Sequence, residues 1–109
     1  MIEIRFLPAV LEDAWQAAER YDKDGYEGLG DRFLSVFYSY ALHLQHHGKA
    51  YRVIYKSFWR VLLNPFPYAL YYRAYREWLV VALVIHTARS PRLVRKVLRQ
   101  RLTLNPEQS

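Results

Sequence analysis

The 109-residue chain contains no cysteine, which excludes a disulfide scaffold, thiol chemistry and any cysteine-ligated metal site. Its longest apolar run, Trp78–Ile85, is far shorter than the roughly 20 residues that a membrane helix needs. The N-terminus lacks a basic region followed by an apolar stretch, so we read no signal peptide, and we find no internal repeat or low-complexity linker. We therefore predict one domain over residues 1–109, with a cytoplasmic location, no membrane partner and no cofactor.

Apolar and aromatic residues are abundant instead, at 52% and 17%, which excludes a disordered tail. Positive charge is concentrated in the second half of the chain. Residues 1–50 hold 5 Lys/Arg against 8 Asp/Glu, whereas residues 51–109 hold 11 against 2. This asymmetry indicates a basic surface that attracts phosphate or an acidic protein segment, and the alternative is a basic face that only keeps the domain soluble.

The first half predicts a strand followed by a helical hairpin. Ile2–Phe6 alternates apolar and charged residues, and a helix is expected from Pro8, with Glu12 and Asp13 near its N-terminus. The glycine-rich stretch 22–30 then separates it from a second helix that stops near Gly48. The predicted apolar stripe of the first helix consists of Val10, Leu11, Ala14, Trp15, Ala18 and Tyr21.

The second half predicts three strands and a last helix. The runs FWRVLLN, YALYYRAY and WLVVALVIH are rich in β-branched and aromatic residues, and they are separated by NPFP and by Arg76-Glu77. Pro65 and Pro67 mark a turn or a bulge at a sheet edge. A helix from about Pro91 to Leu102 follows. The predicted fold is α+β, in the order β-α-α-β-β-β-α, with a small antiparallel sheet covered by the hairpin and a short C-terminal helix.

Three histidines form a cluster at the end of the second helix. His43, His46 and His47 are three and four residues apart, a spacing that places imidazoles on one helix face, where they can bind a divalent metal. No acidic residue lies near them in sequence, and positive charge is tolerated at a helix C-terminus. We interpret the cluster as structural and predict no metal site.

His86 and Arg89 lie at the end of the most apolar strand. A histidine in such a position can act as general acid or base, and a nearby arginine can hold a phosphate through two hydrogen bonds. Arg60 and Arg73 on the neighbouring strands join this site if their side chains face it. From the residues alone, a histidine packed between the sheet and a helix is the favoured interpretation.

The last helix has a basic side formed by Arg92, Arg95, Lys96 and Arg99, spaced three to four residues apart. A binding surface and a solvated face explain this side equally well.

The order and spacing of several short motifs resemble the RelE/ParE toxin superfamily of bacterial type II toxin–antitoxin systems. The motifs are Tyr51-Arg52, Trp59–Leu63, Phe66-Pro67-Tyr68, Tyr72-Arg73 and the V-x-H-x-x-R-x-P pattern of residues 84–91. The resemblance covers nearly the whole chain, and its motifs recur in ParE-like and plasmid-stabilisation members. Ser90, Leu93 and Val94 depart from the ParE pattern, so the chain is not a close match to any one branch. The resemblance implies that the prolines shape a strand-to-strand turn and that His86 and Arg89 open onto the face where activity resides.

Two activities are known in this superfamily, and the resemblance implies different residues for each. RelE-like members cut messenger RNA on the ribosome. Arg60 and Arg89 match their basic residues, and His86 is the candidate acid or base. Leu62 and Ala69 stand where further basic residues are often found, and the C-terminal tail has no Tyr or His. This catalytic set is therefore incomplete.

ParE-like members poison DNA gyrase by binding, which requires no hydrolytic set, and this is the favoured function. The resemblance also implies a cognate antitoxin whose acidic amphipathic segment wraps the toxin. A third interpretation is a non-toxic relative that only binds partners. The residues predicted to bind the target or antitoxin are Tyr68, Tyr72, Arg73, Arg92, Arg95 and Arg99.

Overall fold

The computed structural model describes residues 2–47, 52–55 and 58–103, and of residues 52–55 the backbone only. The predicted helix stop at Gly48, the motif residue Tyr51 and the tail from residue 104 lie outside the described residues. The elements are β1 (Glu3–Phe6), α1 (Pro8–Asp24), α2 (Leu29–His47), β2 (Arg52–Tyr55), β3 (Phe58–Leu62), β4 (Tyr68–Ala74), β5 (Trp78–His86) and α3 (Pro91–Thr103).

The predicted α+β class, the N-terminal helical hairpin and the C-terminal helix are confirmed, and all the predicted elements occur in the predicted order. The short strand β2 was not predicted. The sheet is mixed, in the order β1-β5-β4-β3-β2. Strands β3 to β5 pair antiparallel as expected, and β2 also pairs antiparallel with β3. Strand β1, in contrast, runs parallel to β5, with Phe6 opposite Val81. Parallel neighbours need a long crossover, which the intervening elements supply.

The helical hairpin packs closely because Gly30 has no side chain. A Cβ at Gly30 would lie 2.3 Å from the carbonyl oxygen of Ala18, so the two helix backbones are nearly in contact. The Asp22 carboxylate accepts a hydrogen bond of 2.8 Å from the Gly30 amide, one of the unpaired donors at the start of α2. Phe33 and Phe37, on the inner side of α2, are fully buried.

The predicted apolar stripe of α1 is wrong at two positions. Leu11 and Trp15 are 42% and 56% exposed, whereas Val10, Ala14 and Ala18 are buried. The helix buries a narrow row of mainly small residues, because α2 and the sheet approach it closely. Leu11 and Trp15 flank that row and remain in solvent.

Both predicted turns are confirmed. In the NPFP segment, the Leu63 amide donates to the Tyr68 carbonyl at 2.9 Å, and the Asn64–Pro65 peptide bond is cis. Phe66 points inward, where its ring meets Phe33 edge-on at 5.2 Å between centroids. At the other end of β4, the Tyr75 amide donates to the Trp78 carbonyl and closes the hairpin.

The two faces of the sheet are covered differently. Helices α1 and α2 cover the face that carries Tyr68 and Tyr72, as the contacts of Tyr68 with Phe33 and Tyr21 show. Helix α3 packs on the other face against β5. Of the helices that the structure describes, none combines the length and the apolar character that a membrane crossing requires.

Candidate functional site

The candidate site is a pocket on the α3 side of the sheet, referred to below as the pocket. It brings together the three residues predicted as catalytic, Arg60, His86 and Arg89, with Arg95 from α3. Tyr71 also lines it. Three separate strands and a helix therefore converge on one cationic concavity, as the sequence-based hypothesis requires. The roles of these residues stay predictions.

Arg60 and Tyr71 form the floor of the pocket. They lie directly opposite each other in the β3–β4 pairing. The Nε of Arg60 is buried and has no hydrogen-bond partner among the described residues, so it is a donor available to a bound acceptor. Burial raises the pKa of the Tyr71 phenol, and the Arg60 charge offsets this only in part. The phenol is therefore a neutral hydrogen-bond donor at physiological pH.

The imidazole of His86 is held in one arrangement by its neighbours. The Ala88 amide donates a hydrogen bond of 3.0 Å to Nδ1, and the Tyr68 ring meets the imidazole edge-on at 5.2 Å. Because Nδ1 is an acceptor, the neutral imidazole carries its hydrogen on Nε2. In this arrangement the ring presents its Nε2–H as a hydrogen-bond donor to a ligand.

The segment after β5 is fixed to the proline turn. The Thr87 amide donates to the Pro67 carbonyl at 2.9 Å, and the Arg89 amide donates to the His86 carbonyl at 3.1 Å. These bonds place the Arg89 side chain, which is exposed, beside His86. The NPFP turn thus supports the His-x-x-Arg segment directly, which gives the predicted architectural role of the prolines a physical basis.

Sequence reasoning missed an ion pair that anchors α3. Arg101 donates to both carboxylate oxygens of Asp13, at 2.5 and 2.8 Å, and to the Ala82 carbonyl at 3.0 Å. Asp13 also accepts from the Val84 amide at 3.1 Å. Strand β1 pairs with β5 only as far as Val81, so Asp13 and Arg101 occupy the edge that β1 leaves open. Asp13 is thus not the predicted helix-terminal charge, because α1 begins at Pro8 and Asp13 lies in its second turn.

Two of the predicted binding residues are almost wholly buried. Tyr72 is 0% exposed and stacks on Trp59, and Tyr68 is only 6% exposed beneath the hairpin. Both rings belong to the core, Tyr68 also borders a second cavity together with His86 and Arg89, and the binding roles of the two tyrosines stay predictions. The neighbouring Tyr71 faces the pocket instead.

The predicted binding arginines lie on two elements, Arg73 on β4 and the other three on α3. Arg73 pairs opposite Phe58 and lies on the same face of the sheet as Arg60, two positions from Tyr71, but outside the pocket. Arg92 and Arg99 are exposed and lie outside the pocket, whereas Arg95 lines it.

The histidine cluster shows no metal-binding geometry of the usual kind. The rings of His43 and His47 stack at 4.4 Å between centroids, and His46 lies 6.3 Å from His47. Across the described ranges, no group of three or more His, Cys, Asp or Glu side chains is arranged to hold an ion.

Of three comparisons with known proteins, the one with solved structures finds similar chains. No protein-family model matches it, and no curated protein matches it either. Among solved structures, a chain in the chromosomal ParDE TA (toxin–antitoxin) system from P. aeruginosa is similar, with a TM-score of 0.71 and 9% sequence identity. The match covers 79% of this chain and 96% of that chain. At this low identity the similarity concerns the fold alone, and this chain therefore shares the fold of that chain.

Proposed function

We propose that the protein is the toxin of a type II toxin–antitoxin system. The observation that carries the proposal is the similarity over 96% of a chain from a ParDE system, together with the V-x-H-x-x-R-x-P motif placed at the pocket. A shared fold by itself does not fix an activity. The motif adds weight because its His and Arg line a pocket together with a third predicted residue, Arg60.

The chemistry of the pocket favours binding over RNA cleavage. Cleavage at a 2′-hydroxyl needs a group that accepts its proton. Among the described residues that line the pocket, none carries a carboxylate, the Tyr71 phenol is protonated, and His86 Nδ1 is already engaged. What the pocket offers is hydrogen-bond donors and positive charge. We therefore propose action on a protein target, with DNA gyrase as the candidate, and we retain ribosome-dependent RNA cleavage as the alternative.

The proposed partner is an antitoxin with an acidic amphipathic segment. Arg92, Arg95 and Arg99 are exposed on α3, and Arg95 lines the pocket together with Arg60 and Arg89, all within the half of the sequence that carries the excess positive charge. An acidic segment across this side would cover Arg89 and His86 and thereby silence the toxin. Charge complementarity of this kind accelerates association and sets specificity.

The proposal is tested by inducing the chain in bacteria and following labelled thymidine and methionine into DNA and protein. We expect DNA synthesis to fail first. Arg60→Gln and Arg89→Gln should abolish growth inhibition at equal soluble protein level. Arg32→Gln is the matched control, because Arg32 is an exposed arginine of α2 outside the pocket. Growth inhibition that survives both pocket variants would refute the site.

The same experiment separates the alternatives. If methionine incorporation fails first, the RNA-cleavage interpretation replaces the gyrase proposal. If neither label falls while the protein accumulates, the chain is a partner-binding relative without toxicity.

A further inference from the structure

We propose that the second cavity, at the open edge of β5, is a binding site for a free α-amino acid with an aliphatic side chain. The cavity, referred to below as the edge cavity, lies between α1 and α3 and has a volume of about 260 Å³. It is distinct from the pocket, although Ile85, His86 and Arg89 border both. The proposal goes beyond the toxin proposal and does not depend on it.

The floor of the edge cavity is a stretch of β5 that lacks a neighbouring strand on one side. Strand β1 pairs with β5 only as far as Val81. Beyond that point the Val84 amide faces the open side, where it donates to the Asp13 carboxylate, whereas the Thr87 amide faces β4. Because backbone groups alternate along a strand, the Val84 carbonyl and the His86 amide also face the open side. Neither of these two groups has a hydrogen-bond partner among the described residues.

These two free backbone groups match the main chain of a single residue. In a parallel pairing, a residue of the added strand donates its N–H to one carbonyl and accepts from the amide two positions further on. An amino acid that runs parallel to β5 therefore places its ammonium group on the Val84 carbonyl and its carboxylate on the His86 amide. Strand β1 runs in this direction on the same edge, where the Leu7 amide donates to the Val81 carbonyl at 3.1 Å.

The carboxylate end of the edge cavity carries two arginines. Arg20 and Arg89 border the cavity, both are exposed, and neither has an ion-pair partner among the described residues. On α1, the ring that follows Arg20, that of Tyr21, lies 5.9 Å from the Tyr68 ring. Tyr68 pairs with His86, so Arg20 lies at the same end as Arg89. Guanidinium groups hold carboxylates through charge-assisted hydrogen bonds, which suits this end to the carboxylate of the ligand.

The opposite end of the edge cavity is closed by the ion pair of Asp13 and Arg101. Asp13 accepts from the Val84 amide, and Arg101 donates to the Ala82 carbonyl. The pair thus occupies the backbone groups that a longer added strand would use. A ligand of one residue fits in front of the pair, whereas a peptide chain would collide with it. The Asp13 carboxylate also attracts the ammonium group of the ligand.

The sides of the edge cavity are apolar. Ala17 of α1 and Leu93 and Val97 of α3 border it, and each is buried or half-buried. A volume of about 260 Å³ is below the roughly 300–1,000 Å³ of pockets that bind drug-sized ligands, which favours a small metabolite. An aliphatic side chain between the two helices would cover these three residues, so we expect leucine or an amino acid of similar size to bind best.

The test adds L-leucine to the purified full-length protein in phosphate-free buffer and follows the backbone amide signals by NMR. The His86 amide signal should shift with saturation, at a dissociation constant of about 0.1–1 mM for a ligand of this size. The amide of Leu44, which is buried in α2 and outside the edge cavity, should not shift. Leucinamide lacks the carboxylate and isocaproate lacks the ammonium group, so each should bind at least about ten-fold more weakly.

A pair of variants tests the carboxylate end. Arg20→Gln should weaken leucine binding about ten-fold, because it removes one charge-assisted contact and leaves Arg89 in place. Arg32→Gln removes the same charge from an exposed position of α2 outside the edge cavity and should leave binding unchanged. Thermal unfolding of each variant confirms that it is folded.

Three results would overturn the proposal. The first is no saturable shift of the His86 amide at the highest soluble leucine concentration. The second is equal binding of leucine, isocaproate and inorganic phosphate, which would show a general anion site. The third is tighter binding of a tripeptide that ends in leucine, which would show that the edge cavity receives a peptide terminus. None of these measurements involves toxicity or gyrase, so the toxin proposal and this one fail separately.

Discussion

The replacement Asp13→Asn should destabilise the protein through the loss of one ion pair. Asp13 and Arg101 form two hydrogen bonds of 2.5 and 2.8 Å, and their side chains are only 16% and 20% exposed. Removing one partner of a fully buried pair costs about 3–5 kcal/mol. Partial exposure lowers this figure, so we expect a loss of about 2–3 kcal/mol in the free energy of unfolding. The amide still offers one oxygen to the Val84 amide, but its NH2 group replaces the oxygen that accepts from Arg101 Nη2, so the change removes the charge together with one hydrogen bond.

The measurement is urea unfolding followed by circular dichroism, with a melting curve beside it. A loss of this size corresponds to a fall in Tm of about 10 °C for a domain of roughly 100 residues. Glu12→Gln is the control, because Glu12 is exposed and contacts only Gln16 in its own helix among the described residues. It should change stability by less than about 0.5 kcal/mol.

A double-mutant cycle with Arg101→Gln tests the reasoning itself. The two changes should couple by about 1–3 kcal/mol, because each one removes the same interaction. If Asp13→Asn lies within about 0.5 kcal/mol of wild type, or if the two changes are additive, the pair does not anchor α3.

Three further predictions concern the fold and the pocket. Gly30→Ala should cost about 1–3 kcal/mol, because the new methyl group collides with the Ala18 carbonyl, whereas the exposed control Ser35→Ala should be neutral in the same urea titration. Tyr72→Ala should cost about 3–5 kcal/mol by opening a cavity, and an unfolding free energy close to wild type would contradict its place in the core. Burial raises the pKa of Tyr71 above 10.0, so stability is retained below pH 10 and falls as the pH rises further, because the unfolded chain ionises first. Tyr71→Phe should reduce the loss of stability between pH 8 and about pH 10.5, and an unchanged loss would show that Tyr71 is not the cause.

Much of the fold could be predicted because its signals are local. Hydrophobic periodicity, the glycine-rich break and the two turns predict the three helices and four of the five strands that the structure describes. Pairing between distant segments has no such signal. The parallel contact of β1 with β5 depends on where the helical hairpin returns the chain, and the extra strand β2 is only four residues long.

The candidate site was predicted in part for the same reason. His86 and Arg89 follow an apolar strand, and Arg60 lines the same pocket from β3, although the pairing of His86 with Tyr68 places His86 on the hairpin face of the sheet. Tyr71 and Tyr72 are adjacent in β4, so their side chains point to opposite faces of the sheet. The sequence does not show which of the two points into the core and which into the pocket. Only the register opposite Arg60 shows that Tyr71 is the residue in the pocket. The Asp13–Arg101 pair joins residues that are 88 positions apart, and no local pattern predicts it.

The central claim is that the protein acts as a toxin by binding a protein target. The most direct measurement adds the purified protein to purified DNA gyrase and follows supercoiling of a relaxed plasmid, with Arg89→Gln and Arg32→Gln in parallel. The account predicts that wild type and Arg32→Gln inhibit supercoiling and that Arg89→Gln does not. Undiminished supercoiling at a large excess of wild-type protein, together with cleavage of messenger RNA on ribosomes, would contradict it.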